Sequence, residues 1–162
     1  MQTWPKSLDQ LPPIEDYDIR HGRTYLYFRG EPLYPFGYGL SYTTFAYSNL
    51  KLSAPTIAKN GAIDVSVQVK NTGKRAGDEV IQLYVRYPKS AVERPLKELK
   101  GFQRVRLAAG EAKTVRIPLN AASLAWWNTV QASWEVESAP VEIMIGSSSA
   151  DSRLRAVATV EK

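Results

Sequence analysis

The sequence predicts an all-β fold, an antiparallel β-sandwich preceded by an irregular segment rich in aromatic residues and proline. Two observations favour strands: apolar and polar residues alternate in short runs after residue 45, and glycine, asparagine and proline separate these runs. A third observation argues against helices, because no apolar pattern with a period of about 3.6 residues extends beyond roughly one turn.

The first strands follow from this alternation. Residues 63–70 place isoleucine and valine at every odd position and polar residues between them, which predicts one buried face. Residues 71–74 have the composition of a turn. Residues 79–86 carry apolar side chains on both faces, so we predict a central strand.

The middle of the chain continues the pattern. Residues 97–107 alternate less strictly, residues 108–111 form the next turn, and residues 115–119 point alternate apolar side chains inward. Pro118 marks this strand as an edge strand or as its end, because proline donates no ladder hydrogen bond. Asn120 is predicted to cap the short turn that follows.

The last strands lie in short apolar runs over residues 126–145 and in alternation over residues 154–160. Seven or eight short strands at a spacing of about 8–15 residues are typical of an immunoglobulin or fibronectin type III-like sandwich. The chain has no cysteine, so the version without a disulfide fits better. We therefore predict an irregular segment over residues 1–44 and a sandwich over residues 45–162.

Aromatic residues are concentrated in the first part of the chain. Residues 1–47 hold eleven of the seventeen aromatic residues and five of the ten prolines, which is too apolar for a disordered linker. Rings of this size need a surface to pack against. The segment either wraps its own sandwich or docks on something that this chain lacks, and the composition leaves both interpretations open.

Charge and composition exclude several classes of function. The net charge of +5 comes from scattered residues, so we expect a mixed, solvated surface and no nucleic-acid partner. No stretch approaches the roughly 20 apolar residues of a membrane helix, and no membrane partner is expected. Without cysteine and with His21 as the single histidine, the sequence predicts no metal site and no cofactor. His21 lies beside glycine and two arginines, which favours a turn or interface role.

Pairs of carboxylates are the remaining candidates for hydrolytic chemistry. Glu135 and Glu137 would share one face of a strand about 7 Å apart, a separation compatible with acid–base work. Nothing nearby indicates a pocket, so we interpret this pair as ordinary surface and predict no catalytic residue. The other two pairs are a turn pair and two strand neighbours that point to opposite faces: Asp16 with Asp18, and Asp78 with Glu79.

Three tryptophans lie close together after the predicted short turn, at positions 126, 127 and 134. Adjacent rings in a strand face opposite ways, so one of Trp126 and Trp127 is expected in the core and the other partly exposed. Exposed coplanar rings stack on sugars in carbohydrate-binding modules. Trp127 and Trp134 are therefore candidate sugar-stacking residues for a polysaccharide partner, and core or interface packing is the alternative.

A resemblance to a known family extends over nearly the whole chain. Residues 32–45 read PLYPFGYGLSYTTF and closely resemble the segment that joins the second catalytic-core domain to the C-terminal domain in family 3 glycoside hydrolases, the β-glucosidases and β-xylosidases. Further matches to the fibronectin type III-like domain of these enzymes follow in order: NTGKRAGDEV over 71–80, QLYV over 82–85, RPLKELKGF over 94–102, WWN over 126–128 and IGSSS over 145–149.

The resemblance implies a role without catalysis. Family members carry an aspartate nucleophile and a glutamate acid–base on domains upstream of anything that matches this sequence. The chain then resembles the C-terminal part of a retaining enzyme that cleaves terminal β-glucosides or β-xylosides, docking on and stabilising catalytic domains in the same or a second chain. The family habit is a secreted or periplasmic location. The aromatic residues expected at the joint are Tyr25, Tyr27, Phe28, Phe36, Tyr38, Tyr42 and Phe45.

Two alternatives belong to other classes of protein. A stand-alone carbohydrate-binding module would require an exposed platform at Trp127 or Trp134. A protein-docking module would use the aromatic segment as its interface and would bind no sugar.

Overall fold

The computed structural model describes residues 3–161 and consists of strands, turns and loops. Three one-turn 3-10 helices lie at Leu8–Gln10, Ile19–His21 and Ala121–Leu124. No helix in the described part is long and apolar enough to cross a membrane. The strands are β1 (Trp4–Pro5), β2 (Pro32–Tyr34), β3 (Phe45–Leu52), β4 (Thr56–Ile57), β5 (Ala62–Asn71), β6 (Gly77–Arg86), β7 (Glu98–Leu107), β8 (Ala112–Asn120), β9 (Trp126–Asn128), β10 (Ser133–Glu135), β11 (Pro140–Gly146) and β12 (Ser152–Val160).

Two sheets form the predicted sandwich. One has five strands in the order β4-β12-β11-β6-β7, and the other has three in the order β3-β5-β8. The pairing is antiparallel except between β12 and β4, which run parallel. The predicted antiparallel sandwich is confirmed, and this short pair at the edge is the one parallel exception among the described strands. It arises because the chain leaves β3 in one sheet and crosses to the edge of the other, where Thr56 and Ile57 add a short strand.

The core lies between the sheets, where the alternating apolar residues meet. The inner face of β5 contributes Val65, Val67 and Val69, all fully buried. Strand β6 is central, between β11 and β7, as its two apolar faces predict. Its outer side chains Gln82 and Tyr84 are also buried, so something covers this side of the five-stranded sheet.

Strand β8 contains two residues with predicted roles, Pro118 and Asn120. Pro118 lies in β8 at the edge of the three-stranded sheet, as predicted from its missing N–H. The predicted cap at Asn120 is wrong, because its side chain makes no capping hydrogen bond. Asn120 is still paired with Ala62 in the ladder, and its carbonyl accepts from Ser123 Oγ at 2.7 Å.

The segment before β3 is less irregular than its composition indicates. Strands β1 and β2 pair antiparallel, with Trp4 opposite Tyr34. The Lys6 N–H donates to the Glu31 carbonyl at 3.1 Å and extends this pairing. The rest of the segment is irregular, and β3 begins at Phe45, where the strand pattern begins in the sequence.

Candidate functional site

The aromatic segment covers the outer face of the five-stranded sheet. The Tyr25 ring stacks on Phe36 with centroids 4.2 Å apart and meets the buried Tyr84 edge-on at 6.0 Å. The Tyr25 hydroxyl accepts a hydrogen bond from the Leu99 N–H at 3.0 Å. This part of the aromatic segment therefore wraps its own sandwich, which was one of the two interpretations that its composition left open.

The buried side-chain amide of Gln82 holds the aromatic segment at Gly37, where the segment leaves the outer face of the five-stranded sheet. Gln82 Nε2 donates to the carbonyls of Gly37 at 3.1 Å and Ser147 at 2.5 Å, and Gln82 Oε1 accepts from the Tyr84 hydroxyl at 2.5 Å. Gly37 has φ of 81°, a left-handed conformation that favours glycine. Gln82 therefore fixes the start of the exposed loop that follows.

A second buried amide holds the other end of this loop. Asn71 is fully buried, and its Oδ1 accepts from Thr43 Oγ1 at 2.6 Å and from the Gly73 N–H at 3.0 Å. Its Nδ2 donates to the carbonyls of Arg75 at 2.7 Å and Leu107 at 3.1 Å. One side chain thus connects the loop to the turn between β5 and β6 and to the end of β7.

The residues between these two anchors, 38–42, form what we call the docking loop. Leu40 is 88% exposed and Tyr42 is 93% exposed, although both are large and apolar. Ten of the sixteen exposed large apolar residues of the described chain lie within residues 4–42. Such a concentration of exposed apolar surface is typical of an interaction site.

The seven aromatic residues predicted at the joint occupy different environments. Tyr25 and Phe36 stack on each other, and Phe45 packs against the core of the sandwich. Tyr42 is almost fully exposed. The remaining three are partly buried: Tyr27, Phe28 and Tyr38. The burial of these residues against another domain stays a prediction.

A cleft of about 360 Å³ lies beside the docking loop, and we call it the joint cleft. Asp78 Oδ1 is buried in it without a hydrogen-bond partner among the described residues, while Oδ2 pairs with Arg104. Glu79 Oε1 accepts only from the N–H of Val80, at 2.9 Å, among its described hydrogen bonds. Glu79 therefore keeps acceptor capacity at the cleft, whereas Asp78 Oδ1 is closed off from solvent and Asp78 Oδ2 is paired. The lining of the cleft includes Leu40, Ser41, Thr43, Asp78, Glu79 and Arg153.

Burial raises the pKa of Glu79 above its ordinary value of 4.5, and this effect outweighs the lowering by the Val80 N–H and by Arg153. The folded chain then binds the Glu79 proton more tightly than the unfolded chain does. The contribution of Glu79 to stability is accordingly greatest below the unfolded pKa and is lost as the pH rises through the raised folded pKa.

Glu79→Gln is expected to stabilise the chain more at pH 7 than at pH 4, because glutamine stays neutral and can still accept from the Val80 N–H. Urea unfolding at both pH values measures the difference. Glu15→Gln, at an exposed carboxylate, is the matched control and should show no such gain. Equal effects of Glu79→Gln at both pH values would contradict this prediction.

The candidate sugar-stacking residues lie on a hairpin formed by β9 and β10. Trp127 and Trp134 are paired across it, with rings 5.5 Å apart at 70° to each other. They are 47% and 69% exposed, whereas Trp126 is partly buried. The rings are therefore edge-to-face and do not form one coplanar platform. Sugar stacking by them stays a prediction.

The carboxylates at the end of the hairpin do not share a strand face, because β10 ends at Glu135 and Glu137 lies beyond it. Glu137 accepts from Ser90 Oγ and from the Ala91 N–H, both at 2.7 Å, and pairs with Arg94. Burial raises the pKa of Glu137, but these hydrogen bonds outweigh it and hold the pKa below its usual value. Glu137 thus ties the loop after β6 to the chain before β11.

His21 occupies a turn, as its sequence context favours. It ends a 3-10 helix, and its Nδ1 lies 2.6 Å from Asp16 Oδ2 on the surface. This hydrogen bond is the main reason that the pKa of Asp16 is lowered. Within residues 3–161, no group of three histidine, cysteine or acidic side chains is arranged to hold a metal ion.

The anchoring residues were not identified from the sequence. Gln82 is a polar residue between apolar neighbours in a strand, and Asn71 begins the turn that follows the first clear strand. Their polar side chains at these positions were the only signal that the sequence offered. The sequence could not show that their amides reach the loop that precedes β3, because both contacts span more than 25 positions of the chain.

Comparison with known proteins agrees with this architecture. The model of the fibronectin type III-like domain family matches residues 79–149. Thermostable beta-glucosidase B of Acetivibrio thermocellus is 45% identical over 162 residues, which cover 93% of this chain and 22% of that protein. A beta-xylosidase of Formosa agariphila is 43% identical, with coverage of 99% and 22%.

A solved structure extends the agreement to three dimensions. Beta-glucosidase 3B from Thermotoga neapolitana, in complex with glucose, superposes with a TM-score of 0.86 at 34% identity, over 99% of this chain and 24% of that one. The chain spans about a fifth of the length of the curated relatives that it matches. It therefore belongs to the fibronectin type III-like domains of family 3 glycoside hydrolases, together with the segment that precedes the domain.

Proposed function

We propose that this chain is the non-catalytic C-terminal part of a retaining family 3 β-glycosidase, and that it docks on and stabilises the catalytic domains of that enzyme. The division proposed is a linking segment over residues 1–44 and a sandwich over residues 45–162. The observation that carries the proposal is the docking loop, an exposed apolar loop anchored at both ends by buried amides.

The anchoring explains how the loop would work. A loop fixed by Gln82 and Asn71 loses little conformational freedom on docking, so less of the free energy of apolar burial is offset by ordering. Covering Leu40 and Tyr42 would contribute roughly 25 cal/mol for each Å² of apolar surface removed from water. The carboxylate of Glu79, which lines the joint cleft, would accept a hydrogen bond from the docked domain.

The chemistry of the whole enzyme is proposed from its relatives. Their names are beta-glucosidase and beta-xylosidase, so the parent is proposed to release a terminal β-glucoside or β-xyloside. Retaining hydrolysis uses two carboxyl groups about 5–5.5 Å apart, one as nucleophile and one as acid–base. Both would lie on the catalytic domains, which would be the partners of this chain in the same polypeptide.

Docking through this loop can be tested by making the same two substitutions in the 162-residue chain and in the whole polypeptide. Leu40→Ser with Tyr42→Ser is expected to leave the melting temperature of the 162-residue chain unchanged, because both side chains are exposed there. In the whole polypeptide, the same pair should lower the melting temperature of the transition in which this domain unfolds by about 2–4 °C, which corresponds to about 1 kcal/mol for a unit of this size.

Val130→Ser is the matched control for this experiment, because Val130 is equally exposed but lies on the β9–β10 turn. It should have no effect in either context. If the changes at Leu40 and Tyr42 leave the melting temperature of the whole polypeptide as unchanged as Val130→Ser does, the docking loop is not at a domain interface.

The size of the native polypeptide tests the larger claim. An antibody raised against this chain should detect a protein several times heavier than 18.1 kDa in its source. A single band at the mass of this chain would contradict the proposal that it is part of a larger glycosidase.

A further inference from the structure

A second cleft lies at the end of the sandwich opposite the joint cleft. The joint cleft borders Asp78 at the start of β6, whereas the second cleft borders Glu98, which pairs with Val85 at the end of β6. It encloses about 640 Å³, within the range of about 300–1,000 Å³ typical of small-molecule sites. No residue of the docking loop lines this cleft.

One wall of the cleft is an exposed indole ring. Trp134 is 69% exposed, which is unusual for so large an apolar side chain. Its neighbour Trp127 is paired with it across the hairpin and supports the ring edge-on at 5.5 Å. The ring is therefore held in place before any ligand arrives, which favours stacking of a flat apolar surface on it.

The opposite wall is polar. Lys100 Nζ and Glu98 Oε1 are 3.0 Å apart, and their side chains are only 12% and 25% exposed. The amide of Asn60 and the hydroxyl of Ser123 line the same cleft. Lys59 lines the cleft as well and is exposed, so the polar side combines hydrogen-bond donors and acceptors with one cation beside the paired Lys100.

We propose that this cleft binds an oligosaccharide of pyranose rings whose hydroxyl groups are equatorial. Such rings present a flat face of C–H groups, which suits an exposed indole, and a rim of hydroxyls, which suits amide, hydroxyl and ion-paired side chains. Trp134 would stack on one ring, while Asn60 and the Glu98–Lys100 pair would bind the rim. This binding is independent of the docking at the joint.

Isothermal titration calorimetry of the 162-residue chain with cellohexaose and with xylohexaose tests the proposal. At least one of the two should bind, and Trp134→Ala should weaken that binding about tenfold, equivalent to about 1.4 kcal/mol. Trp134→Tyr should restore most of it, because an aromatic face remains. Absence of binding of both sugars at millimolar concentration would overturn the proposal.

Two further variants separate the cleft from a general loss of aromatic surface. Phe102→Ala is the matched control, because Phe102 is an aromatic residue that is 67% exposed and does not line the cleft. It should bind the sugar as the unchanged chain does. Asn60→Ala, in an exposed loop, should weaken binding several-fold without affecting folding. Equal weakening by Phe102→Ala, or unchanged binding by Trp134→Ala, would place the sugar elsewhere and overturn the proposal.

Discussion

Asn71→Ala is expected to lower the free energy of unfolding by about 3 kcal/mol, because it removes four hydrogen bonds in a fully buried position. The carbonyl of Leu107 is buried and loses its partner where water does not easily reach it, and Thr43 and Arg75 lose their hydrogen bonds as well. Urea denaturation followed by tryptophan fluorescence measures the change.

Asn71→Asp separates the two halves of this network. An aspartate keeps the acceptor for Thr43 and Gly73 but cannot donate to the carbonyls of Arg75 and Leu107. It should destabilise the chain at least as strongly as alanine at pH 7, because it also buries a charge. Thr72→Ala, at the exposed neighbour, is the control and should cost less than about 1 kcal/mol. Similar losses from Thr72→Ala and Asn71→Ala would contradict this account.

Gly37→Ala is expected to lower the free energy of unfolding by about 2 kcal/mol and to displace the docking loop. A Cβ atom at Gly37 would lie 2.2 Å from Gln82 Oε1 and 2.9 Å from Gln82 Cδ, and φ of 81° is unfavourable for alanine. Gln82 would have to move away, and its hydrogen bonds to Gly37 and Ser147 would be lost or lengthened.

Gly39→Ala is the matched control, because it lies in the same loop and a Cβ atom there would contact nothing within 4 Å. It should be neutral in thermal unfolding of the 162-residue chain. Proteolysis within the docking loop should become faster for Gly37→Ala and stay unchanged for Gly39→Ala. Equal protease sensitivity of the two variants would show that Gln82 does not hold the loop.

The two anchors also explain why stability and docking are coupled in this domain. Gln82 and Asn71 are parts of the sandwich, yet their amides hold a loop that lies outside it. A change that loosens either anchor should therefore weaken docking even when Leu40 and Tyr42 are intact. Variants that loosen the loop more strongly in the 162-residue chain are then expected to lower the melting temperature of the whole polypeptide more strongly.

Much of the fold was predictable because it depends on local patterns. The alternation over residues 63–70 determines which face of β5 is buried, and Gly110, with φ of 76°, lies in the predicted turn before β8. Pro118 was correctly placed in an edge strand because its chemistry excludes a central position. Each of these three predictions depends on a single residue type or on a short alternation of apolar and polar residues.

The parallel pairing of β4 with β12 was not predictable in the same way. Two residues, Thr56 and Ile57, carry no strand period of their own, and their partners lie about a hundred positions later in the chain. Asn120 occupies the N-cap position with an extended backbone, but its side chain makes no capping hydrogen bond, and the sequence does not show which way that side chain turns.

The class of fold, the first residue of strand β3 at Phe45 and the family could be inferred from the sequence, because alternation, turns and motifs are local properties of the chain. Which aromatic residues are covered and which are free became clear only from the folded chain. Tyr25 and Tyr42 have similar sequence surroundings, yet one stacks on Phe36 and the other is exposed. The reason is physical: exposure depends on what the packing of distant strands brings over each ring, and neither composition nor periodicity contains that information.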